Sequence, residues 1–181
     1  FSGVPASLAN SSGIFLGSQF HFDLVRPGAA LYGVNPTPEA DTPMQPVVDL
    51  KARVAQVRTI EKGETVGYGG TWTARQQTRL AVISAGYADG YFRAAGGIDN
   101  LRSAEVIAAG QRCPVAGRIS MDLLAIDIAA LPPGAIRRGG MVTLIGDGIT
   151  VDELGRHFDT IGYEVLTSLG RRYVRAYKGG A

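Results

Sequence analysis

The sequence predicts a mainly β protein: an antiparallel, barrel-like domain with two short helices near its end, preceded by the last βα elements of an α/β fold. Three observations support this prediction. Short apolar segments recur with turn residues between them, as in closed or nearly closed antiparallel sheets. Apolar and polar residues alternate with a period of two from Val47 onward. A proline-rich stretch at 35–46 separates this region from the first part of the chain and indicates a linker or domain boundary.

The composition is that of a folded protein without an obvious membrane or nucleic-acid surface. The 181 residues include 45% apolar and 19% charged side chains, and the net charge is +2. Basic residues are scattered, and no apolar run reaches the roughly 20 residues that span a bilayer. We therefore expect neither a membrane nor a nucleic acid as a partner. The chain opens FSGVPASL, without Met or a signal-peptide pattern, so we expect it to begin within a longer protein.

Cysteine and histidine give no sign of a disulfide or a metal site. Cys113 is the single cysteine of the sequence, which excludes an internal disulfide and fits a reducing compartment. The two histidines are far apart in the sequence and lack metal-ligand spacing. We therefore expect no metal.

The first part of the chain alternates short helical and extended segments. Asn10 or Ser11 can cap a helical turn through the residues that follow. A short strand is predicted at 22–25, and the turn Arg26-Pro27-Gly28 follows it. This alternation is typical of the last βα units of an α/β protein.

The strand that begins at Val47 contains a slip in its alternation near Val54 and Ala55, which predicts a β-bulge. A turn is expected at 61–64. Apolar segments bounded by turn residues predict further strands at 80–85, 104–108, 112–116, 118–128 and 141–145.

The C-terminal part is predicted to be helical before a last strand. Thr150 and Glu153 have the spacing of a capping box, which predicts a helix at 151–158. A second short helix is expected at 161–168, and the alternation at 172–177 predicts a final strand.

Two tyrosines lie among residues too small to cover them, Tyr68 in GYGG and Tyr87 in GYADG. Glycine weakens a strand, so its presence indicates that a ligand or another backbone comes close. The structural alternative is a pair of hairpin corners with tyrosines in the core. The segment GRISMD at 117–122 has the same combination of polar and small residues.

Backbone amides near Ser11 and Gly28 form a further candidate site. Gly28 and Ala29 follow the predicted strand, and Ser11 begins the helical turn, so N–H groups at both places could bind an anion such as phosphate. The alternative is that Ser11 is only a helix cap and Gly28 only a turn residue. The chain contains no phosphate loop of the GxxxxGK type.

Six segments together resemble the C-terminal half of bacterial alanine racemases, which are pyridoxal-phosphate enzymes. The segments occur in the order and at the spacing of that family, over nearly the whole chain: ANSS, VRPGAALYG, VGYGGTW, AGYADGY, GRISMD and TIGYE. The family has a (β/α)8 barrel followed by a β-domain. The resemblance therefore implies the last βα elements of a (β/α)8 barrel in residues 1–45 and the β-domain in residues 46–181. Loops after the last strands of such barrels often bind phosphate.

The resemblance also implies how pyridoxal 5'-phosphate would be held. The Ser11 hydroxyl, the Gly28 and Ala29 amides and the Tyr163 hydroxyl would bind its phosphate. Arg26 would face the pyridine nitrogen and keep it unprotonated, because a guanidinium is always charged.

The substrate site is implied in the same way. Tyr68 would be the catalytic acid–base group on one face of the substrate α-carbon. Met121 would offer its backbone N–H to the substrate carboxylate, and Tyr87 matches a second substrate-binding position. Four residues match positions that line the substrate corridor: Arg93, Arg118, Asp122 and Ile161.

Racemisation needs a second base, which in the family is the lysine that carries the cofactor covalently. The chain has three lysines, Lys51, Lys62 and Lys178, and none of them lies in a matching context. An eight-unit barrel needs about 250 residues by itself. We therefore expect a fragment that lacks the covalent lysine and is inactive alone.

The resemblance implies interconversion of L- and D-alanine through a cofactor-stabilised carbanion, supplying D-alanine for peptidoglycan in the cytoplasm. It also implies a homodimer in which each β-domain completes the site of the partner. Two alternatives stay open. One is a serine or broad-specificity amino-acid racemase of the same architecture. The other is a non-catalytic β-barrel module that binds a partner protein.

Overall fold

The structure is a computed structural model that describes residues 3–97 and 103–179. The chain divides into two compact units between Val48 and Asp49, called here the first and second units. Residues 1 and 181, where the two predicted domains begin and end, lie outside the described residues.

From residue 3 onward, where its description begins, the first unit contains one short α-helix, α1 (Ser11–Phe15), and two 3₁₀ turns, Ser18–Phe20 and Ala29–Tyr32. The helix begins where the sequence predicts it, because the Asn10 side-chain oxygen accepts a hydrogen bond from the Gly13 amide at 3.0 Å.

The strand predicted at 22–25 is wrong. Phe22 has a φ of 52°, a left-handed conformation that interrupts extended backbone. A parallel bridge joins Asn10 to Arg26 instead, next to a hydrogen bond of 2.8 Å from the Arg26 amide to the Ala9 carbonyl. The Ser11 helix and the Arg26 turn are therefore adjacent in space although they are distant in sequence.

The described residues of the second unit form eight strands and two α-helices. The strands are β1 (Leu50–Ile60), β2 (Thr65–Val66), β3 (Trp72–Thr73), β4 (Thr78–Ile83), β5 (Glu105–Ala108), β6 (Gln111–Pro114), β7 (Leu124–Asp127) and β8 (Met141–Ile145). The helices are α2 (Val151–Phe158) and α3 (Gly162–Ser168). Both helices agree with the ranges predicted from the sequence.

Six of the strands form one antiparallel sheet in the order β6-β5-β8-β1-β4-β7. Its two ends meet through a bridge between Val115 and Ile126, with a hydrogen bond of 2.8 Å from the Ala116 amide to the Ala125 carbonyl. The sheet is thereby closed into a barrel, which confirms the predicted fold class.

The predicted β-bulge in β1 is confirmed. The register of β1 against β4 passes from Val54 opposite Ile83 to Gln56 opposite Val82, so that Ala55 is the extra residue. Residues 50–53 of β1 pair with β8, and β1 pairs with β4 from Val54 onward. The bend lets one long strand serve both neighbours while Val54 stays buried in the core.

Two further strand predictions are wrong in part or completely. The strand predicted at 118–128 begins only at Leu124, because Gly117 has a φ of 77° and the Ser120 hydroxyl turns the chain by bonding both backbone groups of Leu123. Residues 172–177 pair with no strand among the described residues, and Val174 is 98% exposed there. The β2–β3 hairpin was not predicted, since each strand has only two residues.

Helix α2 is anchored at both ends. The Thr150 hydroxyl accepts a hydrogen bond from the Glu153 amide at 3.0 Å, as the capping box predicts. The ring of Phe158, the last residue of α2, stacks on Phe92 with centroids 4.9 Å apart and meets Tyr91 edge-on at 5.8 Å. Within the described ranges, no helix has the length and apolar content that crossing a membrane requires.

The Glu153 side chain forms an ion pair with Arg112 of β6 instead of returning to the helix start. The guanidinium donates to both carboxylate oxygens, at 2.6 and 3.0 Å, and also contacts Glu105 at 3.0 Å. Hydrogen bonding from Arg112 lowers the pKa of Glu153 below its ordinary value. The pair therefore fastens α2 to the barrel wall.

We expect Arg112→Met to reduce the free energy of unfolding at neutral pH by about 1 kcal/mol, since the pair is partly exposed. Because the Glu153 pKa is lowered in the folded protein, this contribution is fully present above the ordinary glutamate pKa of about 4.3. It is lost as the pH falls through the lowered folded value. Urea denaturation of the full-length protein at several pH values measures the difference. Arg138→Met, at another exposed arginine, is the control, and a loss that does not depend on pH would contradict the assignment.

Candidate active site

Tyr68 lies in the tight connection between β2 and β3. Gly67, Gly69 and Gly70 all have positive φ, at 78°, 75° and 57°, a conformation that other residues rarely adopt. The tyrosine between them is 69% exposed and so does not belong to the core. The glycines therefore hold this side chain out from the barrel, and the structural alternative of a core tyrosine does not apply to Tyr68.

Tyr87 lies in a second turn, which follows β4. It begins a 3₁₀ turn at Tyr87–Asp89, and its side chain is 44% exposed. The carboxylate of Asp89, which is only 7% exposed, accepts a hydrogen bond from the Gly86 amide at 2.9 Å and closes this turn. Gly90 ends it in the left-handed conformation, with a φ of 90°.

The loop at 117–123 packs against both tyrosine turns. A Cβ on Gly67 would lie 2.8 Å from the Arg118 nitrogen, and a Cβ on Gly86 would lie 2.3 Å from the Ser120 carbonyl oxygen. The amides of Tyr87 and Ala88 donate to carbonyls of this loop at 3.1 and 2.9 Å. The glycines on both sides are thus explained by close backbone approach, one of the two reasons inferred from the sequence.

A pocket of about 600 Å³ opens between these turns and is lined by Tyr68, Tyr87, Arg93 and Ile119. The Arg118 guanidinium lies near Gly69, the residue after Tyr68, since a Cβ on Gly69 would lie 3.3 Å from its Nη1 atom. Two phenol groups and the Arg93 guanidinium therefore line one opening, with the Arg118 guanidinium close to the Tyr68 turn. This combination suits an anionic small molecule, because the arginines attract negative charge and the phenols can donate hydrogen bonds.

A second pocket, of about 350 Å³, lies between Trp72, Thr78 and Asp127 and contains none of the predicted site residues. We therefore place the candidate site at the tyrosine pocket.

The remaining predicted residues of the second unit fall into two groups. Met121 and Asp122 belong to the same 117–123 loop, and the Asp122 carboxylate accepts a hydrogen bond from Arg172 at 2.7 Å. Ile161 and Tyr163 lie at the start of α3, where they are 61% and 39% exposed, and they do not line the tyrosine pocket. The structure thus brings most of the predicted substrate residues together but leaves the α3 pair apart.

The predicted phosphate site of the first unit is compact. The Ser11 hydroxyl is buried and accepts hydrogen bonds from the Gly28 amide at 2.9 Å and the Ala30 amide at 3.3 Å. Ala29 opens a 3₁₀ turn, so its amide is one of the first N–H groups, which have no partner inside the turn. A Cβ on Gly28 would meet no atom within 4 Å, so the space beside this backbone is open. The Ser11 hydroxyl and the Ala29 amide beside this open space fit a phosphate group, whereas the Gly28 amide, also predicted to bind phosphate, donates to Ser11 in this structure.

Arg26 lies two residues before Gly28, at the start of the same turn. Its guanidinium donates to the Ser7 hydroxyl at 2.5 Å and to the Leu8 carbonyl at 3.5 Å. These contacts orient the side chain within the first unit and leave further N–H groups of the guanidinium for a ligand.

Family models identify both parts of the chain. The model described as "Alanine racemase, C-terminal domain" matches residues 47–177, and the corresponding N-terminal domain model matches residues 1–36. The chain belongs to the alanine racemase family. This membership favours the enzyme over the alternative of a partner-binding β-barrel module.

The relatives in the alanine racemase family are similar over the whole chain. The alanine racemase of Methylobacterium nodulans is 54% identical over 181 residues, which is 100% of this chain and 48% of the relative. A catabolic alanine racemase of Mesorhizobium japonicum is 55% identical over 178 residues, covering 98% of this chain and 45% of the relative. The chain therefore spans about half the length of the curated relatives it matches.

A solved structure agrees with the fold as well. The alanine racemase of Bartonella henselae, solved with covalently bound pyridoxal phosphate, is 43% identical and superposes with a TM-score of 0.89. The match covers 98% of this chain and 48% of that structure.

Three residues of the site were not predicted from the sequence. Ile119 lines the pocket, and Asp89 and Arg172 connect the surrounding loops. Asp89 could have been found from its position three residues after Gly86, which is the spacing of a cap. Arg172 gave no signal, because its two carboxylate partners are distant in the sequence.

Proposed function

We propose that this chain is the C-terminal part of a pyridoxal-phosphate-dependent alanine racemase, an isomerase that interconverts L- and D-alanine. The observation that carries the proposal is the exposed Tyr68 hydroxyl, held by a glycine turn in a pocket with Tyr87 and Arg93. The relatives are alanine racemases, and the pocket supplies groups that such a reaction needs.

In this proposal residues 1–45 are the end of a (β/α)8 barrel and residues 46–181 are the β-domain. The two family models support this division, since they match residues 1–36 and 47–177. The first unit also exposes many large apolar side chains, as expected for a segment that packs against further barrel elements. They include Leu8, Phe15, Leu16, Phe22, Leu24 and Leu31.

Tyr68 moves a proton to or from the substrate α-carbon on one face. Its hydroxyl is accessible from the pocket, where it can give or take this proton. The backbone N–H of Met121 binds the substrate carboxylate, and Tyr87 limits the space beside it. Arg93, Arg118 and Asp122 are proposed to line the corridor by which the substrate arrives, and Ile161, which does not line the tyrosine pocket, is proposed to border that corridor from the start of α3.

Pyridoxal 5'-phosphate, when bound, delocalises the negative charge left on the α-carbon. Ser11, Gly28, Ala29 and Tyr163 would hold its phosphate. Arg26 would face the pyridine nitrogen, and its permanent charge keeps that nitrogen unprotonated. A pyridine ring with an unprotonated nitrogen withdraws electrons less strongly, which would disfavour side reactions such as transamination.

The covalent lysine and second base are proposed to lie in the part of the parent protein that this chain does not include. Lys51, for example, contacts Asp147 at 3.6 Å on the barrel surface and is unsuited to hold a cofactor. This chain alone is therefore proposed to be inactive.

The proposed assembly is a homodimer in the cytoplasm, in which each β-domain completes the site of the partner. Exposure of Tyr68 and Tyr87 at the surface of the second unit supports this arrangement, because a site that closes on assembly needs accessible groups. Sedimentation of the full-length protein as a monomer under assay conditions would contradict it.

We further propose that the D-alanine is used for peptidoglycan and the cell wall. A biosynthetic alanine racemase of Agrobacterium fabrum is 45% identical over 183 residues, and catabolic forms are also among the relatives. Growth of a deletion strain without added D-alanine, in a host with no other such enzyme, would contradict this use.

The test is a titration of the full-length protein with pyridoxal phosphate after the cofactor has been removed. We expect racemisation of alanine to return with added cofactor and to exceed racemisation of serine, the substrate of the alternative assignment. Ser11→Ala should raise the half-saturating cofactor concentration about tenfold, because one charge-assisted hydrogen bond is worth roughly 1.5 kcal/mol.

Ser12→Ala is the matched control, since Ser12 is the next residue of α1. No racemisation at saturating cofactor would overturn the proposed function. Equal titration curves for the two serine variants would remove Ser11 from the cofactor site, and faster turnover of serine would favour the broad-specificity alternative.

A further inference from the structure

Arg172 lies in the segment after α3 and contacts two carboxylates. Its Nε atom is 3.2 Å from Asp89 Oδ1, and its Nη1 atom donates to Asp122 Oδ1 at 2.7 Å. The guanidinium is planar and rigid, so these two bonds fix the distance between the two carboxylates.

The two carboxylates belong to the two loops that border the tyrosine pocket. Asp89 closes the Tyr87 turn through its bond to the Gly86 amide. Asp122 follows Met121, whose carbonyl accepts a hydrogen bond from the Ala88 amide at 2.9 Å. A change in the distance between Asp89 and Asp122 therefore moves the Tyr87 turn against the Met121 backbone.

The segment that carries Arg172 is held against the same turn by its backbone. The Gly170 amide donates to the Asp89 carbonyl at 3.0 Å, and a Cβ on Gly90 would lie only 1.9 Å from the Ser168 carbonyl oxygen. The backbone that carries Arg172 is thus held in place, so that its side chain can hold both loops.

The exposure of the Arg172–Asp122 ion pair argues against a main role for that pair in stability, whereas the Asp89 side chain is only 10% exposed. The side chains of Arg172 and Asp122 are 54% and 52% exposed. Ion pairs between such exposed groups contribute about 0–1 kcal/mol to stability. Their position at the junction of two pocket loops gives them a more specific role.

We propose that Arg172 is a positioning residue for the reaction: it sets the spacing between the Tyr87 turn and the Met121 loop and so shapes the substrate end of the pocket. This inference rests on the proposed racemase function. The fork geometry is essential to it, because a lysine at this position carries the same charge but is a point charge on a flexible stem, which does not fix the distance between two carboxylates.

The experiment measures kcat and KM for alanine with the full-length enzyme and its Arg172→Met and Arg172→Lys variants. We expect both variants to lower kcat/KM by about tenfold to a hundredfold, since small displacements of positioning groups have effects of this size. The lower kcat/KM should result mainly from a higher KM. The thermal midpoint should stay within a few degrees of the wild-type value.

Two further variants separate positioning from a general effect. Arg171→Met changes the neighbouring exposed arginine and should keep the wild-type kcat/KM. Asp122→Asn should lower kcat/KM, and its combination with Arg172→Met should be no worse than Arg172→Met alone, because both changes break the same contact.

Each outcome decides the question. Wild-type kinetics in Arg172→Lys would overturn the inference, since charge and not geometry would suffice. Losses of kcat/KM that only match the loss of folded protein would overturn the inference as well. So would a double variant whose loss of kcat/KM equals the combined losses of Arg172→Met and Asp122→Asn. An active wild type with these results leaves the proposed function standing, whereas an inactive wild type overturns the proposed function and this inference with it.

Discussion

Tyr68→Phe in the full-length protein is expected to lower racemisation of alanine by at least about a hundredfold, the usual contribution of a general acid–base group. The substitution removes one hydroxyl from a side chain that is 69% exposed, so it leaves the fold and the pocket shape unchanged. Cofactor binding should persist, because none of the proposed phosphate contacts involves Tyr68. The rate of interconversion and the absorption of the bound cofactor measure the two effects separately.

Tyr177→Phe is the matched control, because this tyrosine is 91% exposed and lies outside the tyrosine pocket. It should racemise alanine at the wild-type rate. Unchanged turnover in Tyr68→Phe would remove Tyr68 from the mechanism, whereas loss of the cofactor together with activity would indicate a structural role.

Gly90→Ala is expected to cost at least about 3 kcal/mol of unfolding free energy, among the largest effects of a single small substitution. A Cβ at this position would lie 1.9 Å from the Ser168 carbonyl oxygen, and the φ of 90° is itself unfavourable for alanine. Relief of the clash requires the Tyr87 turn to move away from the end of α3. Urea denaturation of the full-length protein measures the loss.

Gly110→Ala separates the clash from the backbone conformation. Gly110 also has a positive φ, 77°, but a Cβ there meets no atom within 4 Å. Gly110→Ala should therefore lower the free energy of unfolding by only about 1–2 kcal/mol, which is the effect of the left-handed conformation alone. Equal losses in the two variants would show that the contact between Gly90 and Ser168 is not tight.

Features that depend on neighbouring residues could be predicted from the sequence. The bulge at Ala55 follows from a slip in alternation, and α2 follows from the spacing of Thr150 and Glu153, because both patterns act within a few residues. The glycines around Tyr68 indicated a close approach that the structure explains by the Arg118 backbone.

Features that depend on distant partners could not be predicted. The segments at 22–25 and 172–177 have strand-like composition, but a strand also needs a neighbour, and pattern alone does not provide one. The start of β7 was misplaced because Gly117 and Ser120 turn the chain before Leu124. The contact of Arg172 with two distant carboxylates is of the same kind.

Residue patterns alone predicted only part of the candidate site. Spacing alone left a core role open for Tyr68, and the resemblance to the alanine racemase family supplied its proposed role. The structure adds that Tyr87, Arg93 and Ile119 share a pocket with it, which follows from packing of the 117–123 loop and from no local motif.

The most direct measurement is exchange of the α-hydrogen of each alanine enantiomer in deuterated water, with the full-length protein and its Tyr68→Phe variant. If Tyr68 serves one face of the α-carbon, the wild type labels both enantiomers, while the variant labels one at close to the normal initial rate and loses the other. Labelling of both enantiomers at wild-type rates in the variant would contradict the account.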